Sequence, residues 1–365
     1  MVDILKNMLY KHSEKFFLIA WVLMLINTSV YYSNIENLDL SILSAIALCF
    51  FSLKIISTIY STKELIFNVF LLIFGVITYF YSKELRIFWL TVVIVSSKNI
   101  DIYKIARYTL LTIFVLVCFY IILFVFGFTS ETVTNKGGRS FGLGHPNSAH
   151  FYLMLILSLI VFLNFNNLEI YHYIIFMFLN ILVYYFTKSR SGFLTLFILL
   201  FYPLFLRLVK NEKLKKYINN VYIFIAIAII TFFTIIPLIY DNEILIFQSI
   251  NQLLTGRIMQ ANFYFKNFGL SFFGTFLSYL SDPNTTAILD IGYIKLLINN
   301  GLFSYLFIII SYLLCLKKYY NKNEYQIIFL LLVPLVHMAT ENTMTYVFMN
   351  ISMLLFANIY FMKEE

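Results

Sequence analysis

Residues 105–128 read IARYTLLTIFVLVCFYIILFVFGF, and soon after them residues 139–150 read RSFGLGHPNSAH. The first stretch carries a single charged side chain, Arg107, near its start, and it is long enough to cross a hydrocarbon core of about 30 Å as a helix. Working outward, comparable apolar runs recur at 16–33, 39–60, 65–81, 84–97, 149–164, 169–187, 191–208, 218–240, 293–315, 325–340 and 345–361. The chain is 61% hydrophobic and 12% charged, with a mean hydropathy of +0.85. A soluble domain carries about 25% charged residues, so this chain lacks the polar side chains to cover a water-facing surface. The predicted fold is therefore all-α: a polytopic membrane protein of about 12 transmembrane helices, forming one integral-membrane domain over residues 1–365. The aromatic share of 19% suits belts at the two interfaces, and the 41 Phe also suit lipid-facing filler. Low Ala, Gly and Pro beside abundant Lys, Asn, Ile, Phe and Tyr resemble the output of an AT-rich bacterial genome.

Basic residues set the expected orientation. With the N-terminus inside, sixteen of the 26 Lys and Arg fall on inner segments, nine on outer segments and Lys54 within a span. The inner excess is densest at RLVKNEKLKKY and KKYYNKNEYQ, which predicts both termini on the cytoplasmic side of a bacterial plasma membrane. The net charge of +8 is read as this topology signal, so no nucleic-acid partner is expected. The first span follows Lys6, Lys11 and Lys15 without a small-residue cleavage site and reads as an uncleaved anchor. Cys49, Cys118 and Cys315 all fall in spans, in no disulfide or zinc pattern.

This orientation gathers the chemically diverse segments on the outer face: 139–150, TKSRSG at 187–192, the long loop 241–292 between spans nine and ten, and TENTMTY at 340–346. The long loop is too apolar to be free in water, so it should carry short amphipathic helices in the interface. Thr255 is placed to cap one of them, with Arg257 in its first turn. No phosphate-binding GxxxxGK[ST] motif exists, and ATP is not expected. Three arginines, Arg139, Arg190 and Arg257, each stand beside small residues in separate outer segments. A guanidinium binds phosphate oxygens bidentately and keeps its charge, so three together suit a lipid diphosphate. Taken singly, each also suits snorkelling to a headgroup. His145 precedes Pro146 and either touches substrate or serves the loop, and Asn147 is placed to cap the next span. His337 and Glu341, four residues apart, either orient an acceptor or form an internal pair. Asp241 and Glu243 make an incomplete metal site, so no metal or cofactor is expected.

RSFGLGHPN, TKSRSGFL, LTGRIMQANFYFKNFGLSFFG and LDIGYIKLLINNGLFSYLFI, in that order, resemble the ordered signature of the Wzy/WaaL superfamily. These are the bacterial repeat-unit polymerases of O-antigen and capsule and the related O-antigen ligases; the resemblance covers roughly 139–315. It implies a membrane glycosyltransferase whose partners are undecaprenyl-diphosphate-linked oligosaccharides as donor and acceptor, working beside a flippase and a chain-length regulator. It places the donor diphosphate on Arg190 and Arg257, with Arg139 matching an arginine ahead of the G-x-x-x-PN element. Ligases carry His-Asn before a Tyr-Leu pair at the end of the long loop, where this chain has Asp290-Ile291-Gly292-Tyr293. The acceptor base would then be Asp290, which favours a polymerase over a ligase. Asn147, Ser189, Tyr293, His337 and Glu341 complete the expected substrate contacts, with His145 beside Asp290 as the second catalytic residue. A lipid-linked oligosaccharide flippase is the rival class, but it would need polar residues along a path through the membrane rather than crowded on one face.

Overall fold

The helices begin and end where polar side chains can answer the backbone groups that a helix end leaves free. Ser61 accepts from the Glu64 N–H while Glu64 accepts from the Ser61 N–H, a reciprocal cap. Asp101 and Asn211 cap two further helices through the N–H groups of Tyr103 and Lys213 at 2.9 Å each. The computed structural model describes residues 2–31, 33, 40–134, 136–277 and 289–361, with side chains from His12 onward. Part of the long loop, 278–288, lies outside the described residues, as does Lys363.

Fifteen α-helices follow one another among the described residues. They are α1 Val2–Tyr31, α2 Ser41–Ser57, α3 Thr62–Ser82, α4 Arg86–Ser96 and α5 Ile102–Val125. Next come α6 Pro146–Leu163, α7 Ile170–Thr187, α8 Arg190–Leu208, α9 Glu212–Ile239, α10 Leu245–Leu253 and α11 Arg257–Phe268. The chain closes with α12 Gly292–Asn299, α13 Gly301–Asn321, α14 Tyr325–His337, three short 3-10 helices within Thr343–Phe356, and α15 Ala357–Tyr360. Eight of these are long and apolar enough to cross a membrane, and no β-strand occurs among the described residues. The all-α, multi-pass membrane character expected from composition is borne out.

Four expected spans take a different form. Residues 84–97 hold only the 11-residue α4, about 16 Å long and buried except at the half-buried Phe88. α2 has 17 residues and α14 has 13, the latter also buried almost throughout. Residues 345–361 form 3-10 turns rather than a spanning helix. Irregular backbone is tolerated at such depth only when protein surrounds it. Here Asn350 donates to the Met344 carbonyl at 2.8 Å and to the Tyr312 hydroxyl at 2.7 Å, and Ser352 donates to Asn350 at 2.6 Å. α4, α14 and the 3-10 turns form the centre of the bundle, and α2, α3, α5, α7 and α9 present many exposed apolar side chains around it.

The expected span 293–315 is broken between α12 and α13. Its freed backbone groups are answered by Ser271–Thr275: the Leu302 and Phe303 N–H groups donate to the Ser271 and Phe272 carbonyls at 2.9 and 3.1 Å. The Thr275 N–H in turn donates to the Ile298 and Asn299 carbonyls. Long-range contacts sort the loops into two ends. At one end Arg86, Asn147, Ser191, Arg257, Asp290 and Glu341 meet; at the other Lys98 pairs with Glu64, and Arg207 with Glu169.

Candidate functional site

Glu341 stands in the loop after α14, its N–H bonded to the His337 carbonyl at 3.0 Å. Three donors from three parts of the chain converge on its Oε1. Arg257 Nη2 donates at 2.7 Å, Ser191 Oγ at 2.8 Å and Asn147 Nδ2 at 2.9 Å. Arg257 Nε also donates to Asp290 Oδ2 at 3.1 Å, so one guanidinium bridges two carboxylates. Asp290 is held in place by its neighbours. Asn342 donates to the Leu289 carbonyl at 2.8 Å, the Gly292 N–H donates to the Met338 carbonyl at 2.9 Å, and the buried Tyr293 hydroxyl donates to the Leu335 carbonyl.

Arg257 opens α11 after a turn in which Thr255 and Gly256 both take left-handed backbone. Thr255 therefore does not cap the helix. Asn251, in α10, accepts from the Met259 N–H at 3.0 Å instead. A similar exchange occurs at α6. Pro146 forces His145 into extended backbone, and His145 Nδ1, not Asn147, becomes the cap by accepting from the Asn147 N–H at 3.1 Å. That role turns the Asn147 amide toward Glu341, and it requires the neutral ring to carry its proton on Nε2. At α8 the cap is Ser189, whose hydroxyl accepts from the Gly192 N–H, which leaves Ser191 to reach Glu341.

His145, Asn147, Ser191 and Arg257 line a cleft of about 460 Å³ together with Lys136, Lys188 and Arg190. Asp290 and Glu341 connect to the lining through these side chains. Arg190, Lys136 and Lys188 are exposed and form no ion pair among the described residues. The cleft is therefore strongly basic. Behind it, Asp290 feels Lys295 as well as Arg257 and His145. Lys295 lies 3.8 Å from Glu84, Glu84 pairs with Arg86 at 3.1 Å, and the buried Arg86 covers the Tyr346 ring at 4.0 Å while bonding Thr345. The carboxylates Glu84, Asp290 and Glu341 thus face the cations Arg86, Arg257 and Lys295, and the further positive charge of the cleft comes from Lys136, Lys188 and Arg190. Burial pushes the Asp290 carboxyl up, against the pull of Arg257, and does the same to Glu341, which reaches about 7. Burial lowers the His145 pKa; Asp290 opposes that shift and Arg257 adds to it.

Of the residues expected from sequence, Arg190, Arg257, Asp290, His145, Asn147 and Glu341 come together here. Four do not. Arg139 is exposed and makes a bidentate pair with Glu131 at 2.8 and 2.9 Å, outside the cleft lining. His337 is buried against Phe151, 5.1 Å between ring centres, and bonds the Glu341 N–H through its backbone carbonyl. The Ser189 hydroxyl caps its own helix, and the Tyr293 hydroxyl donates to the Leu335 carbonyl of α14. Asp241 and Glu243 are exposed, and Asp241 turns back onto the Glu243 N–H.

Sequence reading missed Ser191, Lys136, Lys188 and the Glu84–Arg86–Lys295 group. A signal for Ser191 existed: a serine at a helix cap is occupied by its own helix, so the next serine is the free one. The charges at 84 and 86, inside an apolar run, were a second signal. At the opposite end of the bundle a cleft of about 430 Å³ is lined by residues including Lys98 and Lys318. These lysines are already committed, to Glu64 at 2.9 Å and to the Asn358 carbonyl, and none of the residues expected from sequence lies there. No protein-family model, curated protein or solved structure matches the chain.

Proposed function

We propose that this protein is a membrane glycosyltransferase that polymerises oligosaccharide repeats carried on undecaprenyl diphosphate. In this reading the twelve apolar segments make about twelve passes of a bacterial plasma membrane, with both termini in the cytoplasm and the basic cleft at the outer face. One observation carries the reading: Arg190 and Arg257, far apart in sequence, line one basic cleft with His145, and Asp290 is bonded to one of those arginines. The donor diphosphate lies on Arg190, Arg257 and the neighbouring lysines. A hydroxyl of the acceptor repeat attacks the anomeric carbon; the new glycosidic bond forms as the bond from sugar to phosphate oxygen breaks. The hydroxyl proton passes to Asp290, whose burial raises its affinity for a proton, and undecaprenyl diphosphate leaves with its charge held by the arginines. The cleaved bond is itself the energy source, so neither ATP nor a sugar nucleotide takes part.

Purified protein supplied with lipid-linked repeats tests this. Chains should lengthen without ATP and in the presence of a chelator. Arg190→Lys keeps the charge but loses the planar fork, and should slow chain growth by roughly tenfold or more. Asp290→Asn should leave single repeats unjoined. Normal polymer from both variants, at unchanged protein level, would refute the assignment, and a null strain whose repeats remain on the cytoplasmic side would point to a flippase.

A further inference from the structure

Asn147, Ser191 and Arg257 all line the cleft, yet each gives a donor, Nδ2, Oγ and Nη2 in turn, to the same oxygen, Glu341 Oε1. Three donors aimed at one point are what an anionic oxygen requires, and charge-assisted bonds of this kind are the strong ones. We propose that these three side chains form an oxyanion subsite for the ligand, and that Glu341 is a tethered competing anion that holds the donors until a phosphate oxygen takes its place. The proposal rests on the reading of the cleft as a diphosphate site and adds to it a new uncharged contact, Ser191, a role at the phosphate for Asn147, and a resting-state competitor. The tether has a physical consequence. Any anion that uses these donors must first release them from a carboxylate that is never diluted away. A phosphodiester headgroup, with one charge, recovers little in return. A diphosphate also reaches Arg190 and the lysines and recovers more. The surrounding phospholipids, though abundant, therefore leave the cleft free.

Binding to purified protein in detergent tests this with two probes of fixed charge. They are the symmetric dimethyl diester of diphosphate, with one charge on each phosphorus, and dimethyl phosphate. Glu341→Gln keeps an acceptor oxygen for the three donors and removes only the charge, so the fold is retained; Glu341→Ala empties the position. Both variants should bind the diphosphate diester roughly tenfold more tightly than the native protein, and dimethyl phosphate should become a measurable competitor. Adding Ser191→Ala to Glu341→Gln should remove part of that gain. If the native protein binds the diester, Arg190→Ala weakens it, and Glu341→Gln binds no better than native, the competing role of Glu341 is overturned while the diphosphate site stands. If neither the native protein nor any variant binds the diester, both fall.

Discussion

Glu341 carries its negative charge in a largely buried position beside a second carboxylate, Asp290, and the single Arg257 guanidinium between them cannot fully offset the lost hydration. Its pKa, raised by burial to about 7, puts the change of charge near neutral pH. Above that pH the carboxylate is charged and competes for the donors; below it the protonated form competes weakly. Affinity for the dimethyl diester of diphosphate, whose own charge is constant, should therefore fall as pH rises from about 6 to about 8. His145 and Asp290 would add in the same direction on the acid side by gaining protons; the basic side chains that face the cleft are Arg190, Arg257, Lys136 and Lys188. Measuring the same profile with Glu341→Gln separates these contributions: the slope near neutrality should flatten, and an unchanged slope would assign it to Asp290 or His145.

The break between α12 and α13 is an element-scale device. It stops one helix at Asn300, lets the next leave in a new direction, and brings Asp290 and Lys295 to the same end as Glu341. Gly301 makes the join with φ +89, a backbone that L side chains rarely adopt, and a Cβ there would lie 2.3 Å from the Gly274 nitrogen and 2.5 Å from the Phe272 carbonyl oxygen. Gly127 has a comparable φ of +77 but nothing within 4 Å of its added Cβ. Gly127→Ala should thus pay the backbone strain alone, about 1–2 kcal/mol. Gly301→Ala must also push Ser271–Thr275 off the broken helix. Its thermal midpoint in detergent should fall clearly further than that of Gly127→Ala, and chain growth should fall with it. Equal midpoints for the two variants would mean that the contact with 271–275 does not hold the break.

At the scale of the whole molecule, long apolar helices enclose a centre of short and irregular elements, and the charged residues gather at the two ends. The proposed orientation puts the basic cleft outside. With the three native cysteines replaced, Lys136→Cys and Glu243→Cys should react with an impermeant thiol reagent on intact cells. Asn211→Cys should react only after lysis; all three positions are exposed. Labelling of position 211 from outside would invert the orientation and place the cleft in the cytoplasm, where its expected substrate is not presented.

Membrane residence and helical class were legible in residues such as 105–128, because transfer into hydrocarbon is nearly additive along a chain and the bilayer sets the length required. The motif segments that supply Arg190, Arg257, Asp290 and Glu341 could be assigned to one face for the same reason. Hydropathy could not distinguish a long regular helix from short or irregular apolar elements packed among other helices, so α4 and the turns of 343–356 read as regular spanning helices. Nor could it pair the charges. Arg139 finds Glu131 eight residues away, while Ser191 finds Glu341 150 residues away. His145 rather than Asn147 caps α6, and Ser189 rather than Ser191 caps α8, and these choices decide which side chains are left for the cleft. Partners of this kind depend on how helices rotate and pack against one another, a tertiary quantity that no local pattern of apolar and polar residues contains.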